Sequence, residues 1–267
     1  MSYQDYEHLA IEVTDGVAVV RMNRPERLNA FNTTMALELL RAPGELREDP
    51  DVRCVVLTGT GRGFCSGLDI KDVDDAGRTM FGHAPMDEIG ISGRFTLAWY
   101  EIDKPTIAAI NGVAAGGGLG FALMQDIRIA AESARLIPMF TKRGVAPEVG
   151  VSWTAVRAVG LQRALAWYYT DRELSAAQAL EWGAVFQVVP DDQLMETTME
   201  LASSIASGPP LTVRLVRRSL YHAEERPEIR DHLRYAWTNV GISGRTEDIR
   251  EGSAAVAERR APKFVGR

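Results

Sequence analysis

Apolar stretches rich in β-branched residues recur along the chain at Val17–Met22, Arg53–Leu57, Thr106–Ile110, Ile127–Ala131 and Ala184–Val189, each bounded by Gly, Asp, Asn or Pro. Short continuous apolar runs between such breakers predict buried strands. Between them, apolar residues fall at helical spacing over Thr34–Leu40, Trp153–Val159 and Ser175–Trp182. In the last of these, Ser175 and Gln178 stand at capping-box spacing and Gly183 follows as a stop. Strands alternating with helices predict an α/β architecture.

From about Asp191 the pattern changes to successive helices with no strand between them: Gln193–Ser207, then Leu211–Glu225 after Pro209-Pro210, Ile229–Val240 and Glu247–Arg259. This predicts an α/β core over residues 1–208 followed by a helical region over 209–267, with the boundary at Ser207–Pro210. No sequence repeat or low-complexity segment interrupts either part.

Composition narrows the function classes. The 267 residues are 46% hydrophobic and 25% charged, the balance of a globular protein with a sizeable core. A net charge of −6 argues against a nucleic-acid or anionic-membrane surface, because polyanions are held by positive fields. The longest uncharged run, Pro105 to Gln125, contains Asn111 and glycines at 112, 116, 117, 118 and 120, which argues against a membrane helix. The two cysteines, Cys54 and Cys65, lack the spacing of a disulfide or zinc framework, and no metal is expected. The polar start Met1–His8 has no secretory or transit character, so a cytoplasmic location is expected.

Two glycine-rich corners carry the candidate chemistry. Gly61-Arg-Gly-Phe-Cys-Ser-Gly-Leu-Asp-Ile70 directly follows a predicted strand, and Ile110-Asn-Gly-Val-Ala-Ala-Gly-Gly-Gly-Leu-Gly-Phe121 runs from strand through glycines into an apolar helix. Glycines at such turns let the backbone approach a ligand with exposed N–H groups, and a helix start adds the positive end of its dipole. Neither corner is a phosphate loop or a nucleophile elbow, and Phe121 stands where a dinucleotide fingerprint needs its third glycine. Taken singly, each could be a plain turn, and Cys65 a small buried hydrophobe.

Together the corners resemble the two signature segments of the crotonase (enoyl-CoA hydratase/isomerase) superfamily. The early segment Asn23-Arg-Pro-Glu-Arg-Leu-Asn-Ala30, the continuation Asp69-Ile70-Lys71 and the tail Lys263-Phe264 resemble the family's in order, so the likeness covers nearly the whole chain. It implies a ββα spiral core with a C-terminal helical trimerisation region, and an oxyanion hole built from the main-chain N–H groups of Leu68 and Gly117. Such a pair can stabilise the enolate of a thioester by several kcal/mol in a dry site.

The acid decides the reaction. Family hydratases use two glutamates, and the aligned positions here are Gly120 and Phe140, neither able to transfer a proton. The segment Gly144-Val-Ala-Pro-Glu148-Val-Gly150 instead resembles the acid-bearing segment of the family's 3-enoyl-CoA to 2-enoyl-CoA isomerases. The resemblance therefore implies double-bond isomerisation with Glu148 as proton shuttle, its pKa raised by an apolar wall such as Phe140 or Trp153. A hydratase-type lyase using another acid, from the Asp72–Glu88 region, and a noncatalytic acyl-CoA-binding homologue stay open as alternatives. The stretch Gly77–Trp99 is expected to line the acyl pocket, and Asp126 to be a structural cap.

The same resemblance implies an acyl-CoA partner, with coenzyme A as part of the substrate and no separate cofactor. Its contacts would come from Arg27, Leu28, the backbone through Asp69 and Ile70, and Lys71, with Phe264 offered by a neighbouring subunit of a homotrimer or homohexamer. Arg24, Arg27 and Lys71 could equally be surface charges.

Overall fold

A computed structural model describes residues 3–72, 88–226 and 228–267. Its strands are β1 Leu9–Thr14, β2 Val17–Met22, β3 Cys54–Gly59, β4 Gly63–Cys65, β5 Thr106–Ile110, β6 Val113–Ala115, β7 Ile127–Ala131, β8 Arg135–Ile137, β9 Leu174–Ser175 and β10 Gln187–Val189. The helices are α1 Thr33–Glu48, α2 Gly90–Tyr100, α3 Gly117–Met124, α4 Val151–Val159, α5 Leu161–Thr170, α6 Ala176–Trp182, α7 Leu194–Ala206, α8 Pro210–Glu225, α9 Ile229–Ser243 and α10 Glu247–Glu258.

The strands form two sheets, ordered β1-β2-β3-β5-β7-β10 and β4-β6-β8-β9. Apart from the antiparallel end pairs β1–β2 and β8–β9, neighbours run parallel. Parallel central strands are covered on both faces, so β3 and β5 are buried throughout and read as continuous apolar runs. Each long strand β3, β5 and β7 hands over within a few residues to a short one, β4, β6 and β8, and this repeated step makes the ββα spiral. One face of the larger sheet packs on α7, where Leu194, Ala202 and Ala206 meet Val17, Val56, Ile107 and Ile129. The other faces the main core, which holds α1, α2 and α3.

Helix α1 runs to Glu48, well beyond the predicted Leu40, although Pro43 and Gly44 lie inside it. A proline has no N–H for the carbonyl four residues back, which here is Leu39. That carbonyl is taken instead by the buried indole N–H of Trp99, at 2.8 Å. The tertiary bond meets the need that the proline creates, and the helix continues. Trp99 also stands edge-on to Phe121, which with Phe31 and Phe95 forms a fully buried aromatic cluster.

Asp126 is structural, as expected. It accepts the Thr106 N–H at 2.9 Å and pairs with Arg217 at 2.9 Å and the Tyr221 hydroxyl at 2.6 Å, fixing α8 to the end of α3. Arg214 and Arg218 hold the same helix to Asp103. The outer surface of α8 and α9 is apolar in places: Leu220, Leu233 and Val240 are exposed, and Trp237 is 76% exposed. Among the described residues, no helix is long and apolar enough to cross a membrane.

Candidate active site

The short strands gather the site. β4 and β6 pair in parallel, Gly63 with Val113 and Cys65 with Ala114, so the segments leaving their C-terminal ends emerge side by side. Leu68 follows β4, and Gly117 follows β6 as the first residue of α3. A Cβ on Gly67 would lie 3.2 Å from the Gly117 nitrogen and 2.8 Å from the Ala115 carbonyl, and Gly67 has φ +91°. Only glycine meets both demands.

Phe31 bridges to this corner: its N–H donates to Gly67 O at 2.7 Å and its carbonyl accepts from Asp69 N–H at 2.9 Å. Peptide groups along an extended segment face alternate sides. With its neighbours turned to Phe31, Leu68 turns its own N–H the other way, away from Phe31. Neither the Leu68 nor the Gly117 N–H donates to another described residue. For Gly117 this is the ordinary condition of a helix's first amide.

Two asparagines hold the first corner from behind. Asn29 donates to the carbonyls of Thr60 (3.0 Å) and Gly63 (2.8 Å), and Asn111 to those of Gly59 (2.9 Å) and Gly61 (2.8 Å). Arg24 binds Ala30 O at 2.6 Å and the Asp69 carboxylate at 3.0 Å. Burial opposes ionisation of Asp69, but the Lys71 N–H, Arg24 and Arg27 outweigh it and hold its pKa below the usual carboxylate range. Its carboxylate is thus committed within the chain. Cys65, with its thiol pushed up to about 12 by burial, packs beneath Gly118, where a Cβ would strike the Cys65 carbonyl at 2.2 Å.

Glu148, the expected acid, lies on the segment that leaves the third strand of the smaller sheet. β8 pairs with β6, and the chain beyond it turns through Phe140 to Glu148. Val149 and Gly150 both have positive φ, +55° and +63°. A β-branched residue in that region is strained, and strain of this kind persists where surrounding packing imposes it. The Val149 side chain is that packing: its Cγ2 lies 3.1 Å from where a Cβ on Gly117 would stand. A Cβ on Gly120 would lie 2.9 Å from Val149 O and 2.9 Å from Val151 Cβ. The turn bearing Glu148 is therefore seated on Gly117 and Gly120. Glu148 is partly buried, and burial raises its pKa while a hydrogen bond from Ser92 lowers it in part.

The other expected groups divide. Leu28 has φ +49° and stacks its backbone against the first corner, accepting Ser66 N–H at 3.0 Å; Arg27, Ile70 and Lys71 are solvent-accessible beside it. Phe264 lies elsewhere, its carbonyl accepting from Arg53 at 3.1 Å and its ring near Gly252. Arg53 precedes β3 whereas the corner follows it, so Phe264 is bonded at the opposite end of that strand from its own chain's corner. Phe140 stacks on Tyr168, and Trp153 carries Arg157 over its ring at 3.5 Å. Groups touching the Glu148 turn include Ser92, Thr96 and Met124. Asp72 is occupied by the Thr33 N–H and hydroxyl, at 2.6 and 2.8 Å, while residues 73–87, including part of the expected pocket lining, lie outside the described residues. Among the described residues no His, Cys, Asp and Glu group is arranged for a metal ion.

A two-sheet spiral with two such N–H groups at adjoining strand ends, and a turn bearing a partly buried carboxyl packed on the helix between them, has the arrangement expected of an acyl-CoA enzyme. The family model described as enoyl-CoA hydratase/isomerase matches residues 12–267, and the chain belongs to that family. It is similar to the 1,2-epoxyphenylacetyl-CoA isomerase of Escherichia coli (strain K12), 37% identical over 98% of this chain and 99% of the relative. The (E)-benzylidenesuccinyl-CoA hydratase of Thauera aromatica is 35% identical over 97% and 99%. The crystal structure of enoyl-CoA hydratase from Bacillus anthracis superposes with TM-score 0.88 at 31% identity, over 98% of this chain and 100% of that one.

Proposed function

We propose that the protein isomerises 3-enoyl-CoA to 2-enoyl-CoA thioesters, with Glu148 as the proton shuttle and the Leu68 and Gly117 amides as the oxyanion hole. The Glu148 carboxylate takes a proton from C2, and the electron pair moves onto the thioester oxygen held by the amides. The protonated Glu148 then gives that proton to C4, the electrons return, and the double bond lies between C2 and C3. One acid suffices because the same proton leaves and comes back.

The observation that carries this reading is the turn seated on Gly117 and Gly120. It packs Val149, the neighbour of Glu148, on Gly117 and fills the space where a hydratase's first glutamate would start, with Val149 O only 2.9 Å from a Cβ at 120, which supports Glu148 as the acid. Its partial burial suits a base active near neutral pH. Because the base must be ionised and its pKa is raised, turnover should fall on acidification from above the ordinary glutamate range. Hydration remains the second reading, favoured by the hydratases among the relatives.

The test is a panel of 2-enoyl-, 3-enoyl- and 3-hydroxyacyl-CoA thioesters, including aryl-bearing members because relatives carry aryl names, read by mass and ultraviolet absorbance. Isomerisation keeps mass and hydration adds water. Glu148→Gln should lower isomerisation by about two to four powers of ten with little change in acyl-CoA affinity. A fully active Gln variant, or hydration alone, would refute the assignment.

Assembly belongs to the same proposal. Exposed Leu220, Leu233, Trp237 and Val240 on α8 and α9 support a trimer or a hexamer of two trimers, in which Phe264 reaches a neighbour's coenzyme A. Light scattering should give a trimeric or hexameric mass at micromolar concentration; a strict monomer would contradict it.

A further inference from the structure

Resting on the assignment of Glu148 as the shuttle, we infer that Asp171 is a positioning residue that fastens the segment bearing Glu148 to the end of α5. Asp171 closes α5 in the left-handed region, φ +46°, with its N–H donating to Trp167 O, and it is buried. Each of its carboxylate oxygens takes one main-chain N–H of the segment that leaves β8: Oδ1 that of Phe140 at 3.1 Å and Oδ2 that of Lys142 at 2.6 Å. From the same end of the helix, Tyr168 O accepts the Thr141 hydroxyl at 2.6 Å, and the Tyr168 ring stacks on Phe140. Glycine is the residue that such a backbone favours, and the two bonds account for an aspartate in its place.

The bonds matter because the stretch they hold has no buried side chain of its own. Residues 141–147 are all exposed, so nothing between Phe140 and Glu148 anchors the segment in the core. Its first part is closed on itself: the Arg143 and Val145 N–H groups donate to Phe140 O at 3.0 and 3.1 Å, and the Gly144 N–H to Thr141 O at 3.0 Å. Asp171 therefore fixes a compact turn rather than two separate amides. Beyond Glu148, Val149 is seated on Gly117 and Gly120. Glu148 thus hangs between an anchor on α5 and an anchor on α3, and only Ala146 and Pro147, the latter with a fixed φ, span the gap to the first. Loss of Asp171 would lengthen the free span to residues 141–147. The carboxyl at its end would then sample positions outside hydrogen-bond reach of C2 and C4.

The experiment uses the full-length protein and compares wild type, Asp171→Gly, Asp171→Asn and Glu148→Gln on a 3-enoyl-CoA thioester. Asp171→Gly removes both acceptors and leaves a residue suited to the left-handed backbone, so thermal unfolding followed by circular dichroism should stay near wild type. Its kcat should fall about tenfold, taking about a hundredfold per ångström and half an ångström of drift, with KM little changed. Trypsin cleavage after Lys142 or Arg143 in the native protein, located by mass spectrometry, should accelerate about tenfold as the turn opens. Asp171→Asn keeps one acceptor oxygen and should fall between wild type and Asp171→Gly in both readouts. Faster cleavage with unchanged kcat would make Asp171 a structural clip without influence on Glu148 and overturn the proposal. So would unchanged cleavage, or a kcat loss that merely follows lost folded protein while Asp171→Asn works at the wild-type rate. A Glu148→Gln enzyme of full activity would instead remove the shuttle assignment, whatever the trypsin result.

Discussion

Replacing Gly120 with Ala probes the seat of the Glu148 turn directly. The added methyl would stand 2.9 Å from Val149 O and 2.9 Å from Val151 Cβ, against an ordinary contact near 3.5 Å, so one side must yield by about half an ångström. Crowding of a packed interior costs about 1–3 kcal/mol, while removing a glycine from a helix returns about 0.5–1 kcal/mol. Gly44, inside α1 with nothing within 4 Å of its virtual Cβ, provides the control that takes only the gain. Thermal unfolding should therefore separate the two variants by about 1–3 kcal/mol, or about 2–12 °C at 2–4 °C per kcal/mol for a chain of this size. Displacing the Val149 carbonyl also moves its neighbour Glu148. If 1 Å of misplacement costs about a hundredfold, half of that predicts about a tenfold loss of turnover in Gly120→Ala and none in Gly44→Ala. Equal stabilisation of both variants with unchanged turnover would refute the packing argument and with it the link between Gly120 and the acid.

Two further substitutions test the donors and the helix beneath them. Proline is tolerated at a helix's first position, so Gly117→Pro should delete the amide and lower turnover about 10²–10³-fold while circular dichroism stays native. Gly117→Ala keeps the N–H but meets the same Val149 contact, and should lose much less in the same assay. Trp99→Phe should destabilise by about 1–3 kcal/mol in urea unfolding by stranding the Leu39 carbonyl, and by about 1 kcal/mol less in a Pro43→Ala background, where the helix can satisfy that carbonyl itself.

The strands of the larger sheet were legible because burial on both faces writes them as unbroken apolar runs: β2, β5 and β7 have the predicted limits, and β3 and β10 differ at their ends. The four C-terminal helices likewise agree to within a few residues, punctuated by Pro209-Pro210 and the turn after Ser243. The smaller sheet was not legible, since strands of two or three residues are too short to show a period, although it is this sheet that aligns the corners. β1 hid because it is buried only at Leu9 and follows no clean alternation, α5 behind its mixed surface, and α2 behind glycines at 90 and 93. Pro43 ended the predicted α1 early because its compensation, the Trp99 indole, comes from far along the chain. At the site, glycine patterns and resemblance pointed to Leu68, Gly117 and Glu148. Nothing in the local sequence singled out Ser92, whose place depends on how α2 crosses the Glu148 turn.

The outflow of three adjacent parallel strands, β4, β6 and β8, separates the parts of this centre by inheritance as well as by space. The first two contribute main-chain N–H groups, which survive every codon change at their positions except one to proline. The third contributes a side chain, which a single codon change can abolish, shorten or replace. On the roles proposed above, a substitution at Leu68 keeps its charge-stabilising group, whereas one at Glu148 removes the proton carrier; the glycines at 67 and 118 that shape the corner have no such latitude. If the proposed roles hold, a lineage built this way can lose one reaction and try another while keeping its grip on the enolate, because the two kinds of group are carried by different segments.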